Sequence, residues 1–185
     1  VKGHNGSVEY FFDNQRVIGG HRSDGSVDFR ERNVIQNVKA GTVLAERHPP
    51  RPGKTGKNVF GEIIKPESPQ DVVLQPGVNT KLSDDETQLS AEIDGHVTII
   101  DRKISVLPLY RIEGDVNYDT GNIHFVGSVE VLGNVLPGFM VEADGDIVLH
   151  GLAEKCDLRA QKSLFSSSGI MGDDKTKVVC GGSIE

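Results

Sequence analysis

The sequence predicts an all-β chain in two parts. A β-rich N-terminal cap domain spans residues 1–105, and a triangular parallel β-helix, a solenoid, spans residues 106–185. Three observations predict it. Glycine is abundant, with 22 residues, while aromatics make up 5% and Trp is absent, a mix that disfavours a helix bundle and favours tight turns. A phrase of Gly, then Asp, Asn or Ser, then Val or Ile recurs at Gly114-Asp115-Val116, Gly121-Asn122-Ile123, Gly127-Ser128-Val129 and Gly133-Asn134-Val135. Columns of chemically similar residues also persist over a longer repeat with offsets of 18, 17 and 20.

The N-terminal elements read as strands and hairpins without that period. "GSVEYFF" (6–12), "GSVDFRE" (25–31), "GTVLAER" (41–47) and "DVVLQPG" (71–77) are apolar or alternating runs bounded by turn residues. "DDETQLSAEIDG" (84–95) reads as strands around a polar turn, and "GHVTIIDRKISV" (95–106) as a hairpin turning near Asp101-Arg102-Lys103. Only "ERNVIQNV" (31–38) has the pattern of a helical turn.

In the second part, small or aliphatic residues fall every six positions at Ile123, Val129, Val135, Val141, Ile147 and Ala153. A helical period of 3.6 cannot produce this, whereas short strands ended by glycine bends do. Three columns align across the longer repeat: Ile123, Val141, Leu158, Val178; Phe125, Ala143, Ala160, Cys180; and Val129, Ile147, Leu164, Ile184. Gly127, Gly145 and Gly182 mark a corner, with Lys162 as the exception. Eighteen residues as three sides of six describe a triangular coil, and successive coils stack at the strand spacing of about 4.8 Å. A lone coil buries too little to offset its ordering, so neighbours must share core and ladder, and the ends of the stack need covering.

Charge and composition narrow the function. The net charge of −7 argues against a general nucleic-acid binder. No apolar run approaches the roughly 20 residues that span a bilayer, and no signal peptide is visible. Cys156 and Cys180 fit no zinc spacing and are expected as free thiols in a reducing compartment. The chain begins at Val1 without Met and stops at Glu185 just after "CGGSIE" restarts the opening phrase, so it reads as a solenoid truncated at its C-terminus.

Motifs that carry chemistry are few. "RPGKTGKN" (51–58) holds Gly53-Lys54-Thr55, but a phosphate loop needs a glycine where His48 stands, and three prolines occupy the cradle. The same region gathers Arg47, His48, Arg51, Lys54 and Lys57, a basic segment suited to an acidic partner or anion. None of His4, His21, His48, His96, His124 and His150 sits at metal-ligand spacing, and His124 and His150 are expected to face outward. Hexapeptide acyltransferases are also triangular solenoids with a histidine base, but they prefer a small non-glycine residue where glycine repeats here. A glycosidase would need paired carboxylates, and no column doubles them. The column His124, Glu142, Arg159, Val179 places Glu142 beside Arg159 as an expected inter-coil ion pair. Asp173-Asp174 reads as a solvated turn. No catalytic, cofactor-binding or metal-binding residue is expected.

Several phrases together resemble one bacterial family. They are "GSVDFRERNVIQNVKAGTVLAERHPPRPGKTGKNVFGEII" (25–64), "LSAEIDGHV" (89–97), "ISVLPLYRIEGDVNYDTGNIHFVGSVEVLGNVLPGFMVEADGDI" (104–147) and "GIMG" (169–172). The chain is similar to the flagellar assembly protein A family, long catalogued as a bacterial domain of unknown function. The resemblance implies a right-handed solenoid behind a β-rich N-terminal domain, and a cytoplasmic role in flagellar assembly or its regulation. It further implies localisation at the cell pole, contacts with signalling proteins and no established enzymatic activity. "LRAQKSLFSSSG" departs from the family pattern, with Gln161-Lys162 in place of a glycine pair. The expected function is a non-catalytic scaffold that binds protein partners and self-associates through an open solenoid edge. A carbohydrate-active or carbohydrate-binding β-helix and a polymer-forming, bactofilin-like solenoid are the alternatives.

Overall fold

A computed structural model describes residues 3–12, 20–21, 27–28, 35–172, 174 and 176–185. Every regular element among them is a strand.

In the N-terminal part, strands Ser7–Tyr10, Val43–His48, Gln88–Ala91 and Thr80–Leu82 form one antiparallel sheet in that spatial order. Lys103–Leu107, Gly95–Ile100 and Asn37–Val38 form a second. A shift in register between Val43 and Ala45 lets the adjacent Leu44 and Ala45 both turn inward. They join Leu74, Leu89, Ala91, Val97, Ile104 and Val106 in one core. The hairpin at 95–107 turns on Asp101 and Arg102, both in the left-handed region at φ 50° and 64°, as a two-residue turn requires.

The expected strand at 71–77 does not form. Asp71 Oδ1 accepts from the Val72 amide at 2.7 Å, and Arg47 Nε donates to the Val72 carbonyl at 2.7 Å. Side chains therefore satisfy the backbone groups that a ladder would have used, and the segment contributes only buried Leu74 and a bridge from Pro76 to Ile104. The helical turn read at 31–38 lies partly outside the described residues; its end is extended, with Asn37–Val38 in a strand. Of "GSVDFRE" the described residues are Val27–Asp28, paired with Gly20–His21.

From Leu109 the chain winds as a β-solenoid of about four turns. One face stacks Leu109–Ile112, Ser128–Val131, Ile147–Leu149 and Leu164–Ser166 in parallel. A second stacks Ile123–Phe125, Met140–Ala143, Asp157–Ala160 and Lys177–Cys180, also in parallel. The third is narrower: bridges join Val116 to Val135 and Val135 to Ala153, and Ala153–Glu154 pairs with Ile170–Met171. The expected columns are the observed register. Val129, Ile147, Leu164 and Ile184 lie over one another, as do Ile123, Val141, Leu158 and Val178. All six residues of the six-step series, Ile123 to Ala153, are no more than 2% exposed, so each points into the shared core.

The corners show why the phrase recurs. A Cβ on Gly145 would lie 2.4 Å from Ser128 Oγ, and one on Gly151 would lie 2.2 Å from the Gly133 carbonyl oxygen. Neither residue has a positive φ. At these two positions glycine is there because the preceding coil runs directly against it, whereas Gly121, at φ 74°, is a backbone bend as expected. The polar residue after it bonds between coils. Ser128 Oγ accepts from the Asp146 amide at 3.0 Å, and Asp146 Oδ1 accepts from the Ser163 amide at 3.0 Å. Another corner repeats this: Asp115 Oδ1 accepts from Asn134 N at 2.7 Å, and Asn134 Oδ1 from Leu152 N at 2.8 Å. At Lys162 the corner keeps its hydrogen bonds, with Lys162 N donating to Gly145 O and Gly182 N donating to Lys162 O.

The N-terminal part meets the first coil directly. Asn37 Nδ2 donates to the His124 carbonyl at 2.9 Å and its Oδ1 accepts from Val126 N at 3.3 Å, covering the edge of strand Ile123–Phe125. Ile35 packs against the solenoid core. The His96 ring stands edge-on to Tyr110 and Phe125, with centroids 5.3 and 5.9 Å away.

Candidate functional site

The basic segment divides into two. Arg47 leaves strand Val43–His48 and binds inward: its guanidinium pairs with the Asp71 carboxylate and with the Val72 carbonyl. The Arg47 hydrogen bond holds the Asp71 carboxyl below its ordinary range, with the Val72 amide adding to the effect. His48 Nε2 sits 3.1 Å from Glu9 Oε2 across the sheet. These two side chains serve the sheet. Arg51, Lys54 and Lys57 lie further along and are exposed. Arg51 is anchored by its backbone, which exchanges two hydrogen bonds of 2.9 Å with His4. Lys57 lies on the short strand Gly56–Lys57, paired with Ile63–Ile64.

An open pocket of about 480 Å³ lies beside this hairpin. Gly3, Asn5, Lys54, Ile64, Pro66 and Glu67 line part of it. Among the described residues it offers one lysine, one carboxylate and the Ser68 hydroxyl in an open recess.

The solenoid faces carry charged side chains in register. Glu142 Oε2 is 2.9 Å from His124 Nδ1 on the preceding coil. Arg159 does not form the expected pair with Glu142. It forks onto Asp157, two residues back on its own strand, at 3.1 and 2.7 Å, since residues i and i+2 of a strand share a face. Asp157 raises the Arg159 pKa, with a smaller contribution from Glu142. On the neighbouring face Glu130 bridges coils, with His150 Nε2 at 3.0 Å and Arg111 Nε at 3.7 Å. His124 and His150 are about half exposed, pointing outward as read from the sequence. Gln161 Nε2 donates to Asp144 Oδ1 at 2.6 Å. Among the described residues, no group of three or more His, Cys, Asp or Glu is placed to hold a metal ion, and no helix is long and apolar enough to cross a membrane.

Both thiols are free, and Cys156 is buried, which pushes its pKa up to about 11. It therefore stays protonated and behaves as a core residue.

Residues 1–102 match the family pattern described as the Flagellar Assembly Protein A N-terminal region, and residues 108–185 match the Flagellar Assembly Protein A beta solenoid domain. The chain belongs to the flagellar assembly protein A family. No curated protein and no solved structure matches it.

Within this flagellar assembly protein A chain, sequence reasoning missed one surface. The hairpin that carries Lys57 turns through Asn58-Val59-Phe60-Gly61, and Val59 and Phe60 at its tip are 93% and 85% exposed. Ile63 and Ile64 on the returning strand are exposed as well. The signal is Asn and Gly bracketing two bulky apolar residues, a turn pattern, set among more conspicuous lysines.

Proposed function

We propose that the chain is a non-catalytic scaffold acting in flagellar assembly on the cytoplasmic side, where it binds protein partners. The observation that carries this reading is the arrangement of charge on the solenoid. His124 with Glu142, Glu130 with His150 and Arg111, and Arg159 with Asp157 neutralise one another along flat parallel faces. They do not converge on a reacting centre. Rigid stacked coils with such faces suit the display of an extended contact surface, and the family description supplies the process.

The test is affinity capture with the full-length protein, comparing wild type with two variants. One is Glu130→Lys/Glu142→Lys, which reverses charge on both broad faces. The other is Arg51→Glu/Lys54→Glu/Lys57→Glu. Loss of a flagellar partner from the first variant supports recognition through the solenoid, and loss from the second supports the basic segment. Recovery of no partner by the wild-type protein, or saturable binding and turnover of an oligosaccharide, would remove the scaffold reading; equal recovery by all three proteins would move the contact to another surface.

A further inference from the structure

The geometry points to the hairpin at residues 56–64 as a peripheral anchor that inserts Val59 and Phe60 into the interface of an anionic lipid bilayer. Three features of the hairpin carry this.

The apolar tip is built in advance. Asn58 Oδ1 accepts from the Phe60 amide at 2.9 Å and the Glu62 amide at 3.0 Å, while Asn58 Nδ2 donates to Glu62 Oε2 at 2.6 Å. Gly61 takes φ +84° and donates its amide to the Asn58 carbonyl at 3.0 Å. The turn is thereby closed, and Val59 and Phe60 are held outward with almost their whole surface in water. Ile63, at 67% exposed, extends the apolar surface down the returning strand. A contiguous apolar patch of this kind on a soluble surface marks an interaction site.

The polar groups of the turn are already used. Asn58 and Glu62 spend their side chains on the turn itself, so the tip offers a partner bulk apolar contact and little directional hydrogen bonding. A protein groove is recognised by shape and directed polar contacts. A bilayer interface asks for neither, only for hydrocarbon burial and charge of the right sign.

The charge has that sign. Residues 51–65 hold Arg51, Lys54, Lys57 and Lys65 against Glu62 alone, a local net of +3 in a chain of net −7. An anionic surface therefore attracts this end of the molecule and repels the rest, which orients the tip downward. Each cation beside such a surface strengthens attachment about fivefold, and burying a side chain such as Phe adds about tenfold or more.

The test is co-sedimentation of the whole chain with phosphatidylcholine vesicles containing about 30 mol% phosphatidylglycerol, against pure phosphatidylcholine vesicles. The chain is expected to pellet with the anionic vesicles only, and less so in about 0.5 M salt, where the screening length is short. Val59→Asp/Phe60→Asp is expected to lower the partition coefficient at least about tenfold, and Lys57→Glu/Lys65→Glu at least about twenty-five-fold. Because the chain has no Trp, Phe60→Trp gives a single reporter whose emission is expected to shift to the blue on anionic vesicles. Absence of pelleting, pelleting that survives Val59→Asp/Phe60→Asp, or an unshifted Phe60→Trp emission would overturn the proposal. Binding to soluble polyglutamate that the tip variant abolishes, without vesicle binding, would overturn it in favour of an acidic protein partner.

Discussion

At the scale of single residues, the recurring phrase divides its labour three ways. Glycine makes room for the coil beside it, as at Gly127 and Gly133, or bends the backbone, as at Gly121; the Asp, Asn or Ser accepts an amide from the next coil, and the aliphatic residue fills the core. The first of these roles separates two glycines that look alike in sequence. A Cβ on Gly114 would meet nothing within 4 Å, while one on Gly151 would lie 2.2 Å from the Gly133 carbonyl. Gly114→Ala is expected to change stability by less than about 0.5 kcal/mol, and Gly151→Ala to cost about 1–3 kcal/mol through overpacking. Urea denaturation of the two variants checks this, and equal costs would return the explanation to backbone bending. The phrase itself was plain in the sequence. The reason for its glycine was not, because a close approach between coils exists only once the register is known.

At the scale of elements, the corner hydrogen bonds tie successive strands at points where the ladder is interrupted. Asp146→Ala would leave the Ser163 amide without the carboxylate that now accepts it at 3.0 Å. The expected loss is about 1 kcal/mol, read from the denaturation midpoint, and Asp146→Asn, which keeps an acceptor oxygen, is expected to recover most of it. The strands of the solenoid were legible because inward positions obey one spacing and any slip would expose them. Two elements were not. Residues 71–77 carry the apolar run Val72-Val73-Leu74 bounded by Asp71 and Gly77, yet Asp71 and Arg47 claim the backbone around Val72. Column position fixes which side chains are neighbours but leaves their rotamers free, so Arg159 takes the closer carboxylate on its own strand in place of Glu142.

At the scale of the whole molecule, the two parts are joined by Asn37, Ile35 and the aromatic cluster around His96. Burial lowers the His96 pKa, and a hydrogen bond with the Leu107 backbone opposes this. Its Nδ1 is buried and, among the described residues, has no hydrogen-bond partner. The folded ring thus stays neutral where the unfolded ring, with a pKa of about 6.5, would take a proton. Stability from this ring is complete above that value and is lost as pH falls through it toward the lower folded value. His96→Phe is expected to flatten the fall in melting temperature between about pH 7 and pH 5, which thermal unfolding across that range would measure; parallel profiles would place the acid sensitivity elsewhere. The two-part plan could be read from the sequence, because periodicity starts where the N-terminal pattern stops. The join could not, since it rests on contacts between residues such as Asn37 and His124 that share no pattern. The columns from Val129 to Ile147, Ile147 to Leu164 and Leu158 to Val178 step by 18, 17 and 20 residues without losing alignment. Insertions and deletions are absorbed at the bends and leave the frame of adjoining rungs intact. The outer fringe of this protein is therefore free to diversify by length while its interior stays under a fixed grammar.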